Sequence, residues 1–265
     1  MKWPSSLVFI RHGQSQYNKL KVTKEQQPEY QEFKQQFKRE FESANEPDWV
    51  SSELRDLAIK AMKAIKLKNI NDQNTPLTDE GYDQAVQTGA RLKDEITLPD
   101  TIFISPYLRT RQTFEGIAQS WPGLNDVPHV FEDRIREQEH GLASVFNDRA
   151  IYLTLNPLQA LLFKQEGKYY YRYLNGESRS DVKSRLRSML GTFIREYAEK
   201  NILLVSHHLT LLCLRSNLER WDVETFLSVD EKEKPINCGV TVYKGNSKLG
   251  ANGRLELESY NQQYY

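Results

Sequence analysis

Cysteine is scarce in this sequence, which has only Cys213 and Cys238 among its 265 residues. Both cysteines stand in apolar surroundings. Two cysteines at this spacing make neither a zinc site nor a disulfide framework. We therefore predict two free thiols buried in the core, where an unpaired cysteine is usually found.

An excess of charge is also missing, because 36 Lys and Arg residues balance 36 Asp and Glu residues. Proteins that bind nucleic acid generally need a basic surface that meets the phosphate backbone. The charge balance therefore argues against a nucleic-acid partner, while it leaves room for a small basic pocket.

Long apolar runs are absent too, since no stretch approaches the roughly 20 apolar residues that a membrane-spanning helix needs. The first residues, Met1-Lys2-Trp3-Pro4, lead directly into a short apolar run and show no signal-peptide pattern. We therefore expect a cytoplasmic protein with no membrane partner.

Short apolar runs alternate with helical patterns along the chain. Buried strands are predicted at 6–10, 101–105 and 201–206, an edge strand at 127–132, and two late strands at 240–243 and 255–260. Amphipathic helices are predicted at 78–93 and 181–199. This alternation predicts a three-layer α/β/α sandwich with a mostly parallel central sheet, built as a single domain of 265 residues with insertions.

Two segments interrupt the alternation. The first, 19–74, carries two apolar stripes at helical spacing, one formed by Tyr30, Phe33, Phe37 and Phe41 and the other by Leu54, Leu57, Ala58, Ala61, Met62 and Ile65. It is predicted to form a helical hairpin that packs against the body, covers the functional site as a cap, or does both. The second excursion, 144–174, ends in an aromatic run at 169–173 that is more typical of a core or hairpin than of a stacking site for substrate.

The residues that can carry chemistry follow the predicted strands. Arg11-His12-Gly13-Gln14-Ser15 follows the first strand, and three further groups lie at 105–113, 136–141 and 206–208. Open α/β sheets bind ligands at the carboxyl ends of their strands. Arginine forks and a helix N-terminus favour an anion there, and a histidine can present one ring nitrogen to it.

His207 and His208 also suggest a metal site, since neighbouring histidines are common ligands of zinc or iron. However, adjacent residues on an extended chain point to opposite faces. We therefore expect that the two rings do not share one ion, and we predict no bound metal.

The four groups together resemble the histidine phosphatase superfamily, also called the phosphoglycerate mutase-like family. The shared pattern is Arg-His-Gly at 11–13, Ser-Pro-x-x-Arg-x-x-Gln-Thr at 105–113, Arg-Glu at 136–137 and Ser-His at 206–207. The stretch Pro-Leu-Thr-x-x-Gly-x-x-Gln-Ala at 76–85 is similar to a helix start of the family. The segments 103–113, 136–138 and 171–178 look like the broad-range acid phosphatase branch of fungi and plants. The insertion 19–74 has no counterpart in this resemblance.

The resemblance implies roles for individual residues. His12 would be a nucleophile that forms a phosphohistidine, and Glu137 would be the general acid that later activates water. The phosphoryl group would be surrounded by Arg11, Arg109 and His207, with Asn18 as an accessory contact. Cationic donors of this kind can stabilise phosphoryl transfer without a metal, so no cofactor is expected.

The sequence departs from the family pattern at two positions. Gln14 stands where Glu is common, and His208 stands where many relatives have Gly. His208 can narrow the pocket, add a donor, or face outward without a catalytic role. Together with Ser15, these residues are candidates for substrate binding. Glu177 is a further candidate, which can anchor the pocket or cap the following helix.

Two differences favour hydrolysis over mutase chemistry. Mutases of the family carry Glu-Asn-x-Phe-Thr-Gly-Trp shortly after Arg-His-Gly, where this chain reads Lys-Leu-Lys-Val-Thr-Lys-Glu at 19–25. They also follow the acid with Arg-His-Tyr, where this chain has Gln138-Glu139-His140. Hydrolysis of a phosphomonoester is therefore predicted, with a phosphoglycerate mutase-type transfer and a non-catalytic phosphate-binding protein as alternatives. The substrate classes that fit are a phosphopeptide, a sugar phosphate and a nucleotide.

Overall fold

The computed structural model describes residues 2–65 and 71–265. The chain forms two compact units. The first consists of Met1–Gln16, Gln73–Glu137 and Asp181–Tyr265, and the second of Tyr17–Asp72 and Gln138–Ser180. The first unit therefore contains the predicted strands, and the second contains most of both predicted excursions.

Within the described residues, the first unit contains one sheet of six strands. The strands are β1 (Ser6–Arg11), β2 (Thr101–Ile104), β3 (His129–Phe131), β4 (Asn201–Ser206), β5 (Val240–Asn246) and β6 (Arg254–Gln262). Their order in the sheet is β3-β2-β4-β1-β5-β6. Strands β1 to β4 run parallel, β5 pairs antiparallel with β1, and β6 pairs antiparallel with β5. The predicted α/β fold with a mostly parallel sheet is confirmed.

The described residues form ten α-helices, numbered in chain order. They are α1 (Gln16–Lys24), α2 (Pro28–Glu42), α3 (Ser52–Ile65), α4 (Asp79–Glu95), α5 (Leu108–Ser120), α6 (Arg149–Leu155), α7 (Pro157–Tyr170), α8 (Arg179–Glu196), α9 (His208–Leu218) and α10 (Val223–Lys232). Short 3-10 helices lie at Pro122–Asp126, Asp133–Ile135 and Gly141–Phe146. None of the helices in the described ranges is both long and apolar enough to cross a membrane.

Both faces of the sheet are covered, as the alternation along β2 shows. Ile102 and Ile104 are buried in a core cluster that includes Ile117 of α5. Phe103 points to the opposite face, where its ring lies 5.3 Å from that of Phe193 in α8. Because successive side chains of a strand alternate between faces, this arrangement gives the predicted three layers.

Neither of the two cysteines forms a disulfide, and both are buried, as predicted. Burial raises the pKa of Cys238 to about 12, so its thiol stays protonated. A protonated, buried thiol is a poor nucleophile. Cys238 is therefore part of the core of the first unit, where it lies in the same cluster as Val240.

The two apolar stripes of the insertion lie on α2 and α3, which confirms the predicted helices. Tyr30 and Phe33 from α2 are buried in one cluster with Leu54 and Ala58 from α3. The aromatic run also has a core role, since Tyr171 and Tyr173 are buried in a second cluster of the same unit. The role of the insertion as a cap stays a prediction.

Helix α1 was not predicted from the sequence, because the Lys-rich stretch that forms it has no apolar stripe. Its last residue, Lys24, is buried and pairs with Asp148 at a distance of 2.6 Å. Tyr30 donates to the same carboxylate oxygen of Asp148 at 2.7 Å. A buried ion pair and a hydrogen bond therefore hold α1 in the second unit. Because these contacts are polar, a search for apolar stripes does not detect this helix.

Candidate active site

Parallel pairing brings the two candidate histidines together. Strands β1 and β4 pair so that Arg11 stands opposite Ser206. His12 and His207 are the first residues after these two strands, and their ring centroids lie 5.3 Å apart. Both residues are buried, with exposed fractions of 4% for His12 and 0% for His207. The structure thus brings the two candidate histidines together at the carboxyl ends of the parallel strands.

One nitrogen of His12 is occupied by its own turn. Nδ1 lies 2.7 Å from the carbonyl oxygen of Gly13. A carbonyl oxygen only accepts hydrogen bonds, so Nδ1 carries the proton and Nε2 keeps its lone pair. Burial, and then the charges of Arg109 and Arg11, hold the pKa of His12 well below its usual range. The imidazole is therefore neutral near pH 7, with Nε2 able to act as a nucleophile.

The turn after β1 is fixed to α5 through Thr113. The backbone N–H of Gly13 donates to the hydroxyl of Thr113 at 3.0 Å. The same hydroxyl donates to the carbonyl oxygen of Arg109 at 2.7 Å. The neighbouring Gln112 accepts a hydrogen bond from the backbone N–H of Leu77 at 2.8 Å. The Gln-Thr pair of the motif thus joins three separate segments.

His207 has one occupied nitrogen and one unpartnered nitrogen. Its Nε2 lies 2.7 Å from the hydroxyl oxygen of Ser105, the first residue after β2. Its Nδ1 is buried, and no residue that the structure describes offers it a hydrogen bond. Burial, followed by the charge of Arg109, lowers the pKa of His207 well below its usual range. When Ser105 donates to Nε2, the neutral ring carries its proton on Nδ1 and can donate to an anion.

Two arginines supply positive charge beside the histidines. Arg11 donates from Nη1 to the carbonyl oxygen of Pro235 at 2.6 Å, while its buried Nε has no hydrogen-bond partner among the described residues. Burial lowers the pKa of Arg11 to about 10, so it stays charged near pH 7. Arg109 is 4% exposed, and its guanidinium lies 4.8 Å from the centre of the Tyr107 ring. The two histidines and two arginines, called the pocket below, thus form a buried cluster that is positively charged and has donors suited to an anion.

Glu137 provides the carboxylate. It is the second residue after the 3-10 helix Asp133–Ile135, in the loop that leads to the next 3-10 helix at Gly141. Burial lowers the pKa of Arg11, and the negative charge of Glu137 acts in the opposite direction. The carboxylate of Glu137 therefore lies near enough to Arg11 to interact with its charge. The five residues to which the sequence resemblance assigned catalytic roles all belong to the first unit.

Comparison with known proteins identifies the family. The profile of the histidine phosphatase superfamily (branch 1) matches residues 66–248. The chain belongs to the histidine phosphatase superfamily. The matched range contains Arg109, Glu137 and His207 and begins after the Arg-His-Gly segment. Arg11 and His12 are placed beside the others by the pairing of β1 with β4.

Relatives of this superfamily carry both mutase-like and phosphatase names. The phosphoglycerate mutase-like protein AT74 of Arabidopsis thaliana is 30% identical over an alignment of 203 positions, which covers 70% of this chain and 60% of AT74. The chain thus spans less than two thirds of that relative. The broad-range acid phosphatase DET1 of Saccharomyces cerevisiae is 22% identical over 300 residues, covering 85% of this chain and 81% of DET1.

Solved structures share the fold of this superfamily member. A mycobacterial glucosyl-3-phosphoglycerate phosphatase, solved with VO3, superposes with a TM-score of 0.61. The match covers 97% of this chain and 99% of the mycobacterial chain at 18% sequence identity. At this identity the likeness shows the shared fold.

Gln14 and the glycine beside it contribute to the framework of the superfamily fold. The side-chain oxygen of Gln14 accepts a hydrogen bond at 2.9 Å from Thr78, which caps α4 as predicted. A Cβ on Gly13 would overlap the carbonyl oxygen of Gly81. The absence of a side chain at Gly13 therefore permits close approach of the His12 turn to the start of α4. Ser15 is buried and pairs with Leu77 in an isolated bridge.

His208 has a partner different from that of His207. It is the first residue of α9, and its Nε2 lies 3.3 Å from a carboxylate oxygen of Asp230 in α10. Burial, followed by the charge of Arg11, lowers the pKa of His208, while Asp230 opposes this shift. The described residues contain no group of three or more His, Cys, Asp or Glu side chains arranged to hold a metal ion.

Asn18 and Glu177 lie in the second unit, on α1 and just before α8. The carboxylate of Glu177 accepts a hydrogen bond from the backbone N–H of Glu139 at 3.1 Å. The assignment of both residues to substrate binding stays a prediction.

The sequence motifs did not indicate every residue that supports the site. Ser105 belongs to the quoted motif, but its bond to His207 depends on the neighbouring positions of β2 and β4. Asp230, the partner of His208, lies on α10, which carries no motif, and no pattern in the sequence distinguishes it from other charged helical residues.

Proposed function

We propose that this chain is a phosphomonoester hydrolase that works through a phosphohistidine on Nε2 of His12, without a metal. The observation that carries the proposal is the state of His12, whose protonated Nδ1 bonds to Gly13 and whose Nε2 keeps a lone pair. This nucleophile lies in a buried pocket with two arginines and the unpartnered Nδ1 of His207. Such a pocket fits the charge of a phosphoryl group in transfer.

The reaction has two steps that share the same residues. The lone pair of Nε2 attacks phosphorus, the ester P–O bond breaks, and Glu137 gives a proton to the leaving oxygen. Water then attacks the phosphohistidine, Glu137 takes a proton from that water, and the P–N bond breaks to release phosphate. His12 recovers its lone pair, and Glu137 is again protonated for the next turnover.

Arg11, Arg109 and His207 stabilise the charge that develops on the phosphoryl oxygens. Donors that are fixed before the substrate arrives require little rearrangement during the reaction, and a buried site strengthens their electrostatic effect. Removal of one such donor typically costs about 100-fold or more in kcat.

The test is hydrolysis of p-nitrophenyl phosphate in the presence of EDTA. The intact protein should turn over, and His12→Ala should abolish turnover. His129→Ala is the matched control, because His129 lies in the edge strand β3 and is exposed. Lack of turnover by the intact protein, or full activity of the His12 variant, would contradict the proposal.

The intermediate itself can be trapped. Rapid quenching during turnover of a labelled substrate should yield protein-bound phosphate that survives base and is lost in acid, as expected of a phosphoramidate. Label that is stable in acid would point to an ester on another residue and contradict a histidine nucleophile.

A phosphoglycerate mutase-type transfer is the second candidate, favoured by the name of the relative AT74. In that reaction, the phosphohistidine returns its phosphoryl group to a sugar acid rather than to water. Conversion of 3-phosphoglycerate to 2-phosphoglycerate faster than its hydrolysis would support the mutase. Binding of phosphate with neither reaction would indicate a non-catalytic phosphate-binding protein.

A further inference from the structure

The loop that carries Glu137 is held by side chains from outside the loop. Arg185 of α8 donates from Nη1 to the carbonyl oxygen of Arg134 at 2.7 Å. The same guanidinium donates from Nη2 to the carbonyl oxygen of Glu137 at 3.0 Å. One arginine therefore holds the backbone at both ends of the segment 134–137.

The two carbonyl groups between these ends are held from the segment that contains His207. The hydroxyl of Ser206 donates to the carbonyl oxygen of Ile135 at 2.5 Å. The hydroxyl of Thr210 donates to the carbonyl oxygen of Arg136 at 2.8 Å. Four successive carbonyl groups thus accept hydrogen bonds from fixed side chains.

This arrangement restricts a segment whose last residues have no regular secondary structure of their own. A loop backbone usually binds water and moves more than the helices and strands around it. In this loop each carbonyl is directed at a donor on α8, α9 or the end of β4. Ser206 and Thr210 flank His207 in the chain, so the backbone of Glu137 is held at a fixed distance from the second histidine of the pocket.

We propose that Arg185 is a positioning residue that holds the carboxyl group of Glu137 in place for proton transfer to the leaving oxygen. The proposal rests on the proposed function, in which Glu137 is the general acid. A small displacement of an acid from its productive position can cost about 100-fold in rate. Arg185 acts through the backbone, and therefore through Glu137, rather than by contact with the phosphoryl group.

The test uses leaving groups of different basicity. An acidic leaving group such as p-nitrophenolate departs with little help from an acid, whereas an alkoxide needs a proton. We expect Arg185→Met to lower kcat/KM about tenfold more for an alkyl phosphate than for p-nitrophenyl phosphate. The parameter kcat/KM is measured because it includes the step in which the leaving group departs and is not affected by later hydrolysis of the phosphohistidine.

The variant Glu137→Gln shows how large the leaving-group dependence becomes when the proposed acid is removed entirely. It should show the same preference for acidic leaving groups, more strongly than Arg185→Met. In the double variant, Arg185→Met should add little further loss, because the acid that it positions is already gone. Equal losses for all leaving groups, or independent losses in the double variant, would overturn the proposal.

Two further variants separate position from charge. The charge of Arg185 also contributes to the low pKa of His207, which is due mainly to burial. Arg185→Lys keeps the charge but cannot make both hydrogen bonds in the same planar geometry. It should therefore resemble Arg185→Met in its leaving-group dependence. If Arg185→Lys restores the normal dependence, charge and not position is the cause, and the proposal is wrong.

Controls cover folding and the proposed function. Arg187→Met alters an exposed arginine of the same helix and should leave the leaving-group dependence unchanged. If Arg185→Met does not fold, Thr210→Val removes the bond to Arg136 with little change in volume and should show the same dependence in weaker form. If the intact protein hydrolyses none of the esters, the proposed function has failed; if it hydrolyses them and the variants show no leaving-group dependence, only the role of Arg185 has failed.

Discussion

The hydroxyl oxygen of Ser105 lies 2.7 Å from Nε2 of His207, so the end of one strand orients the histidine at the end of its neighbour. Both residues are fully buried. A buried hydroxyl that donates to Nε2 keeps the proton of the neutral ring on Nδ1, the nitrogen without a partner.

Replacement of Ser105 by Ala should therefore weaken catalysis. Loss of one hydrogen bond to the ring costs about 1 kcal/mol, which corresponds to about a fivefold fall in kcat/KM for p-nitrophenyl phosphate. Ser247→Ala, in the exposed turn after β5, is the matched control. Full activity of Ser105→Ala would show that the orientation of His207 does not depend on this hydroxyl.

Replacement of Gly13 by Ala should damage the site through the backbone. The added Cβ would overlap the carbonyl oxygen of Gly81, and neither backbone can move without shifting the turn of His12 or the start of α4. We expect a fall in kcat/KM of about 100-fold. Gly123→Ala is the control, because the nearest atom to its Cβ would be 3.7 Å away. An active Gly13→Ala enzyme would mean that this packing does not position His12.

Stability should fall as the pH is lowered from 7.5 to 5.5. Burial, followed by the charge of Arg109, lowers the pKa values of His12 and His207. The unfolded chain keeps ordinary histidines with a pKa of about 6.5, so it binds more protons than the folded chain below that pH. The free energy of unfolding, measured with urea, should therefore decrease with falling pH. His12→Gln removes one of these groups, and its decrease should be smaller; an equal decrease would contradict the low pKa of His12.

The buried pair of Lys24 and Asp148 should be important for the stability of the second unit. Their side chains are only 7% and 9% exposed. Lys24→Met would leave a buried carboxylate without its cation and should cost about 3 kcal/mol of the free energy of unfolding at pH 7. Tyr30→Phe removes only one hydrogen bond to this carboxylate and should cost about 1 kcal/mol. Urea unfolding measures both, with Lys19→Met at an exposed position as the control.

The pair of Lys24 and Asp148 should also make the free energy of unfolding depend on pH, in this case through a carboxylate rather than through the histidines. Burial alone would raise the pKa of Asp148, but the charge and hydrogen bond of Lys24, together with the hydrogen bonds from Tyr30 and the backbone N–H of Ile151, outweigh this effect and lower the pKa. The contribution of the pair is therefore complete above the unfolded pKa of about 4 and is lost as the pH falls through the folded value. The difference in stability between the intact protein and Lys24→Met should shrink toward acidic pH; a constant difference would mean that Asp148 does not titrate with the pair.

The sequence predicted those features that depend on short segments. The apolar runs located the strands, Thr78 marked the start of α4, and the resemblance to a known family indicated which strand ends carry chemistry. The fold and the family are confirmed, and the five principal residues of the candidate site lie in one unit. These features were accessible because strand periodicity, helix capping and the motifs are each contained in about ten residues or fewer.

The features that were missed depend on tertiary packing. The pairing of β1 with β4 joins residues 195 positions apart, and it determines that Ser206 lies beside Arg11. The bonds from Arg185 to the loop of Glu137 arise only when α8 covers the sheet. Helix α1 depends on a buried ion pair rather than on an apolar stripe. No local pattern identifies such partners in advance.

The bonds of Thr113 have a consequence for how the pocket meets its ligand. One hydroxyl oxygen accepts a hydrogen bond from the backbone N–H of Gly13, in the turn of His12, and donates to the backbone carbonyl of Arg109. The backbone turn of His12, the proposed nucleophile, is thereby tied to the backbone of α5 at Arg109, so these two backbone segments are already ordered when a phosphate arrives. Less of the binding energy is then lost to conformational entropy, so that even a small phosphate ester with few further contacts can be captured in a reactive position.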